Sequence, residues 1–160
     1  MLTREQLLVL KADIAGDPVF GLMEKTVANA CTIAAAYNQP ASPAWWLWRT
    51  AVTAAEWRQA IIGGGGATQL DGLTGSKREA LLWACSDTLD PSVPAIRAAL
   101  DDFCGSQNNL KAAIIAAQKR TGTRAEKLFS AGTGSEAAPA TFGWEGTLSY
   151  GDVQDAWNMS

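Results

Sequence analysis

The chain has 160 residues, of which 48% are hydrophobic and 18% are charged. This composition predicts a globular protein with a hydrophobic core and argues against general disorder. The net charge of −3 gives no general reason to bind nucleic acid or an anionic membrane, and the absence of histidine excludes imidazole catalysis and histidine zinc sites.

Helix signals recur along the chain. Capping patterns begin at Thr3, Thr53, Ser76 and Thr123, each with Glu or Gln three residues later. Ser92 and Ser149 are further predicted caps, and Gly105 is a predicted helix end. By these signals we predict helices over residues 3–15, 24–37, 53–62, 76–85, 92–103, 110–120, 124–130 and 149–157. Of these, the helix from Ser76 is expected to bury Leu81, Leu82, Trp83 and Cys85.

Three tryptophans lie close together at Trp45, Trp46 and Trp48. Helix and short strand both fit an apolar run of this length. The cluster either forms a partner-binding patch, since tryptophan is enriched at interface hot spots, or closes the end of a small helical core. Both interpretations stay open on the sequence alone.

Four consecutive glycines occupy residues 63–66. Their backbone freedom predicts a mobile loop that reaches about Gly75. The segment does not fit a phosphate-binding loop, because Lys77 follows a serine where GxxxxGK[ST] requires glycine, and no GxGxxG is present. We therefore expect no nucleotide site.

The three cysteines, Cys31, Cys85 and Cys104, form no CxxC pair and stand among apolar residues. We predict buried free thiols, which fits folding in a reducing cytoplasm. The sequence starts without a signal peptide pattern, and it has no uncharged apolar run of transmembrane length. It contains no EF-hand spacing, and the adjacent carboxylates Asp101 and Asp102 point apart on a helix. We expect no enzyme, no cofactor and no metal site.

The chain is predicted to divide into a helical domain, residues 1–130, and a C-terminal arm, residues 131–160. The arm begins with a flexible connector of small residues and continues with aromatic and acidic residues. The predicted fold class is mainly α: a small bundle of six to eight short helices with an extended, partly ordered arm. The arm either docks on a neighbouring subunit or folds back on its own helices.

Charge is divided unevenly near the C-terminus. Residues 111–127 carry five basic residues and one glutamate, a net +4, whereas residues 133–160 carry four carboxylates and no basic residue. These segments are either two solvated faces or complementary patches on neighbouring subunits. The predicted interface residues are Phe142, Trp144, Tyr150, Trp157, Lys119, Arg120, Arg124, Lys127, Trp45 and Trp46.

The basic segment 111–127 also has the outline of a helix-turn-helix. Its second helix is short, and it offers only Arg124 and Lys127, beside Glu126, for reading bases. DNA binding, as in a small terminase-like packaging protein, is therefore a weaker hypothesis.

Several runs resemble a family of small, mostly unassigned virion proteins of tailed bacteriophages and prophages. The strongest likeness lies in Thr123–Thr141 (TRAEKLFSAGTGSEAAPAT) and Glu145–Tyr150 (EGTLSY). The runs Leu2–Leu7, Leu10–Ala15 with Asp17-Pro18, and Ala34–Pro43 are similar too. The chain departs from the family over residues 63–75, where the family has Trp and charged residues.

The resemblance implies a component of the phage particle. Together with the small helical domain, it favours a head-to-tail connector (adaptor) subunit of the phage neck. Such a subunit is expected to form a ring with copies of itself, dodecameric by resemblance to connectors. The ring would contact the portal protein and a tail or nozzle protein, with DNA passing nearby without specific binding and with no membrane contact. Assembly in the bacterial cytoplasm and residence in the virion follow, and another tail-completion or capsid-associated role is the alternative.

Overall fold

The computed structural model describes residues 1–159. Over these residues the protein is mainly α, which confirms the predicted fold class. In chain order the elements are α1 (Arg4–Gly16), a 3₁₀ turn (Phe20–Leu22), α2 (Val27–Tyr37), β1 (Trp46–Trp48), α3 (Ala54–Gly63), α4 (Gly66–Asp71), α5 (Gly75–Ala84), α6 (Pro94–Cys104), α7 (Asn108–Ala117), β2 (Lys119–Thr121), α8 (Arg124–Phe129) and α9 (Tyr150–Asn158).

The chain forms two compact units, which differ from the predicted division at residue 130. The terminal unit combines residues 1–45 with the chain from residue 121 onward, and the inserted unit is residues 46–120. The C-terminal segment thus belongs to the same unit as the N-terminal helices. Local sequence signals missed this division because it depends on contacts between segments more than 100 residues apart.

Capping explains most of the helix starts. The boxes at Thr3, Thr53 and Thr123 form as predicted, and Ser149 makes a further box with Asp152. The predicted caps Ser76 and Ser92 are wrong: α5 begins at Gly75 and α6 begins at Pro94, where proline needs no hydrogen-bonded N–H. Gly105 ends α6 as predicted.

The core of the terminal unit centres on α9, which packs against both α1 and α2. Its fully buried Val153 and Ala156 join Leu10 of α1 and Ile33 of α2. Burying such side chains contributes about 1.5–3 kcal/mol each for the larger ones. The last helix therefore completes the core of this unit.

The inserted unit pairs α3 with α7 and α5 with α6. Trp57 is completely buried at its centre, where its indole Nε1 has no hydrogen-bond partner among the described residues. The surrounding core is aliphatic and includes Leu81, Leu100 and Leu110. Apolar packing stabilises this unit.

The glycine run is not the predicted mobile loop over 63–75, because α4 forms within it. Gly64 lies so close to α7 that an added Cβ would stand 2.8 Å from the Leu110 Cα. Gly65 and Gly66 have φ values of 107° and 52°, which turn the chain from α3 into α4. The glycines thus allow a tight helix–helix corner.

The segment 46–52 is extended. The backbone N–H of Arg49 donates to the Gln118 carbonyl at 2.8 Å, and Val52 pairs antiparallel with Leu89. The helix predicted over 110–120 ends at Ala117, and β2 follows it. A strand therefore replaces the turn of the expected helix-turn-helix.

The predicted connector at 131–141 is an ordered loop of the terminal unit. Ala131 and Thr141 exchange two backbone hydrogen bonds of 3.0 and 2.9 Å, and Ala140 between them is fully buried. Gly134, with φ of 61°, is buried against the Trp45 indole. Small residues here allow close packing rather than freedom.

Burial of the thiols is confirmed for two cysteines and wrong for the third. Cys85 and Cys104 are buried in the inserted unit, whereas Cys31 is exposed on α2. Cys31 shares the outer face of α2 with Ala28 and Ala35, so the alanine-rich stretch conceals which side faces the core.

Candidate interaction surfaces

The aromatic residues of the C-terminal segment pack on their own unit. The Trp144 ring meets Phe129 edge-on at a centroid distance of 5.6 Å, and Trp157 is half-buried against the core. Phe142 is half-buried too, and Tyr150 is 52% exposed. The described part of the arm therefore follows the alternative in which it folds back on its own chain.

Polar contacts fix the same segment. The Asn38 side chain donates to the Leu148 carbonyl and accepts from its N–H, at 2.9 and 2.8 Å. Lys11 and Lys25 donate to the carbonyls of Met159 and Trp157 at the end of α9. Cations suit the negative end of a helix, so both lysines stabilise α9 in place.

The clustered tryptophans and the basic segment meet within each unit. In the terminal unit the Lys127 ammonium lies 5.1 Å from the Trp45 ring centroid, and the Trp45 Nε1 donates to Ser130 at 2.8 Å. In the inserted unit Lys119 lies 5.4 Å from Trp46. These pairs account for the half-burial of the tryptophans by cation–π contact. Arg120 follows Lys119 in β2 and is half-buried.

Arg124 is the centre of a polar cluster in the terminal unit. Its Nη2 donates to Asp17 at 2.9 Å, to Asp13 at 3.2 Å and to the Tyr37 hydroxyl at 3.3 Å. The Tyr37 hydroxyl in turn donates a short hydrogen bond to Asp13. The guanidinium also lies over the rings of Phe20 and Tyr37. Arg124 thereby connects α8 to α1 and α2.

This cluster shifts the pKa values of its members. Backbone N–H groups of Phe20 and Val19, aided by Arg124, lower the pKa of Asp17. Burial raises the pKa of Tyr37, and its hydrogen bond to Asp13 raises it further. Burial alone would lower the pKa of Arg124, but the hydrogen bonds to Asp17 and Asp13, with electrostatic attraction from Tyr37 and Asp13, outweigh it and raise the value. The cluster therefore holds Arg124 charged and Tyr37 neutral.

A pocket of about 390 Å³ opens beside Arg124. Its size falls within the range of small-ligand and side-chain pockets. The Nη1 and Nε groups of Arg124 make no hydrogen bond with a described residue, and the side chain is 36% exposed. The lining, called the basic pocket below, consists of Asp13, Ala36, Pro40, Ala41, Ser42, Arg124, Lys127 and Leu128.

Several apolar side chains lie on the solvent-facing side of α1. Leu8 and Val9 are exposed, as are Ala12, Ala15 and Gly16 further along the same face. The opposite face, with Leu10 and Ile14, is buried, and the exposed Glu5 lies among the apolar residues of the outer face. Neighbouring exposed apolar side chains of this kind can mark an interaction site.

The outer face of α5 carries the most exposed tryptophan among the described residues. Trp83 is 80% exposed and Leu82 is 45% exposed, which corrects their predicted burial; Leu81 and Cys85 are buried as predicted. Glu79 lies on the same face one turn earlier and has no ion pair or hydrogen bond with a described residue, whereas its neighbours Lys77 and Arg78 pair with Asp102 and Asp71. The sequence signal for the exposure of Trp83 is its spacing of four residues from the polar Glu79, which places both on the side of α5 opposite Leu81.

Within residues 1–159, no helix has the length and apolar character that crossing a membrane requires, and no group of three or more candidate side chains could hold a metal ion. Comparison with known proteins found no matching family, no similar curated protein and no similar solved structure.

Proposed function

We propose that this protein is a structural subunit of a tailed-phage particle, a head-to-tail connector that forms a ring beneath the portal. The observation that carries the proposal is the solvent-facing apolar surface of α1, with exposed Leu8 and Val9. A partner that covers these adjacent apolar side chains removes apolar area from water, which favours association.

A second apolar surface, on α5 of the inserted unit, adds to this support. Ring assembly is head-to-tail, so each subunit needs two different surfaces that bind each other or further partners. The sequence resemblance to phage virion proteins directs the proposal to the particle. The C-terminal segment, packed in its own unit, serves folding in this proposal rather than docking.

The mass of the purified protein, alone and mixed with the portal protein of the same phage, tests the proposal. We expect closed rings of one subunit number by light scattering and negative-stain electron microscopy, either alone or on the portal. Leu8→Glu should abolish these assemblies, because it places a charge in the apolar surface that assembly covers.

The control is Glu24→Gln, which changes an exposed side chain outside α1. It should assemble as the wild type does. A chain that stays monomeric at all concentrations, with and without portal, contradicts the proposed function.

A further inference from the structure

The basic pocket is lined by two cationic side chains, Arg124 and Lys127, which differ in their contacts. The Nη2 of Arg124 is occupied by Asp13, Asp17 and Tyr37, which fixes the guanidinium in position. Its Nη1 and Nε make no hydrogen bond with a described residue, and each can donate one charge-assisted hydrogen bond to a further carboxylate. Lys127 lies over Trp45 and forms no ion pair with a described residue.

The rest of the pocket lining is apolar except for Ser42 and for Asp13, whose carboxylate already accepts from Arg124. Leu128, Pro40 and Ala36 line the space beside the two cations. A matching ligand therefore combines a carboxylate with an adjoining large apolar group. An isolated inorganic anion would satisfy the cations but leave this apolar wall exposed to water.

The α5 face has the complementary combination. Glu79 is an exposed carboxylate without an ion pair among the described residues, and Trp83 follows four residues later. Residues at this spacing lie side by side on a helix. Tryptophan supplies much of the binding energy at interfaces when a pocket buries it.

We propose that the basic pocket binds the α5 face of a second copy of this chain. The Glu79 carboxylate pairs with Lys127 and accepts a hydrogen bond from an open N–H of Arg124, and the Trp83 ring packs against Leu128 and Pro40. The contact joins two different surfaces, as a head-to-tail ring requires. This inference rests on the proposed function, since it names the subunit contact of the ring.

Charge reversal provides the test. Glu79→Lys and Lys127→Glu each place like charges across the contact and should each weaken association by about tenfold or more. In an equimolar mixture the two variants can alternate, with Glu79 facing Lys127 at every second contact and the introduced lysine facing the introduced glutamate, beside Arg124, at the others. We expect the mixture to recover association in part, seen by light scattering as a mass above that of either variant alone, because Arg124 still repels the introduced lysine at the swapped contacts.

The matched controls are Glu24→Lys and Arg58→Glu, which change the net charge equally at exposed positions outside α1, α5 and the basic pocket. They should not recover each other's association if they weaken it at all. Circular dichroism of every variant shows whether folding is retained, and Trp83→Ala should weaken association without changing charge.

The outcomes separate this contact from the ring itself. Rings that persist in both single reversals overturn the contact while the proposed function stands. Loss of rings in the single variants without any recovery in the mixture also overturns the contact. That result would show that Glu79 and Lys127 do not face each other. A wild type that stays monomeric with and without the portal protein overturns both proposals.

Discussion

The two units are built on different principles. The inserted unit is one continuous segment, closed by aliphatic packing around Trp57. The terminal unit joins both ends of the described chain and adds polar contacts around Arg124, Asn38 and the end of α9. A unit made of distant segments needs directional contacts to set their register, whereas a continuous segment can rely on local helix pairing.

Removal of α9 should produce the largest difference in stability between the two units. A chain ending at residue 148 loses Val153 and Ala156 from the core of the terminal unit. We expect amide hydrogen exchange to become fast in α1 and α2 while α3 and α7 stay protected, because the inserted unit has its own core. Tyr150→Ser, at an exposed position of α9, is the control that should retain protection. Unchanged exchange in α1 after truncation would show that α9 is dispensable.

Gly134→Ala tests the ordered loop of the terminal unit. The added Cβ would overlap the Trp45 indole, and the φ of 61° disfavours alanine. We expect a loss of about 3 kcal/mol in the free energy of unfolding, measured with urea. Gly16→Ala is matched to it, because its Cβ would meet no atom within 4 Å. A similar effect of both substitutions would count against close packing at Gly134.

Low pH should destabilise the inserted unit through protonation of Glu56. Backbone hydrogen bonding by Thr53, followed by Arg49, lowers the pKa of Glu56 from 4.5 to about 2. A lowered folded-state pKa stabilises the protein above pH 4.5, and this contribution is lost as the pH falls through 2. Since the side chain is 37% exposed, we expect Glu56→Gln to remove only about 1 kcal/mol of this pH dependence.

Urea unfolding at pH 5 and at pH 2 measures the Glu56 effect. Arg49→Gln should keep most of the pH dependence, because Thr53 is the larger cause. Complete loss of the pH dependence in Arg49→Gln would assign it to the ion pair instead.

Thiol labelling sharpens the comparison without altering stability. Cys31 is exposed and should react at once with a maleimide. Burial, with a smaller contribution from Cys104, raises the pKa of Cys85 to about 12. Burial, with a smaller contribution from Asp101, raises the pKa of Cys104 to about 11. These two thiols should therefore react only when the inserted unit opens. Mass spectrometry with increasing urea should show one fast label and two late ones. Three equally fast labels would contradict the packing of the inserted unit.

The helix starts could be predicted from the sequence, because local hydrogen bonding determines them. Thr3, Thr53, Thr123 and Ser149 mark helix starts because their hydroxyls bond to N–H groups three residues away. Features that depend on contacts between distant segments could not be predicted in this way. The glycines at 63–66 read as a loop because the close approach of α7 at Leu110 leaves no local signal.

The candidate surfaces show the same limit. Arg124 and Lys127 were predicted as interface residues, and both line the basic pocket. The partners of Arg124, namely Asp13, Asp17 and Tyr37, come from segments about 90 to 110 residues away, so no spacing pattern could indicate them. Trp83 was assigned to the core because an apolar run does not show which side of a helix is covered.

The position of α9 also determines the order in which the units can form during synthesis. The ribosome makes all of residues 46–120 before it reaches α9, at roughly 5–20 residues per second. The inserted unit can therefore fold on the nascent chain while α1 and α2 still lack the helix that covers their buried faces. For several seconds those faces are open to chaperones, and a neighbouring nascent chain could supply its own α9 to them.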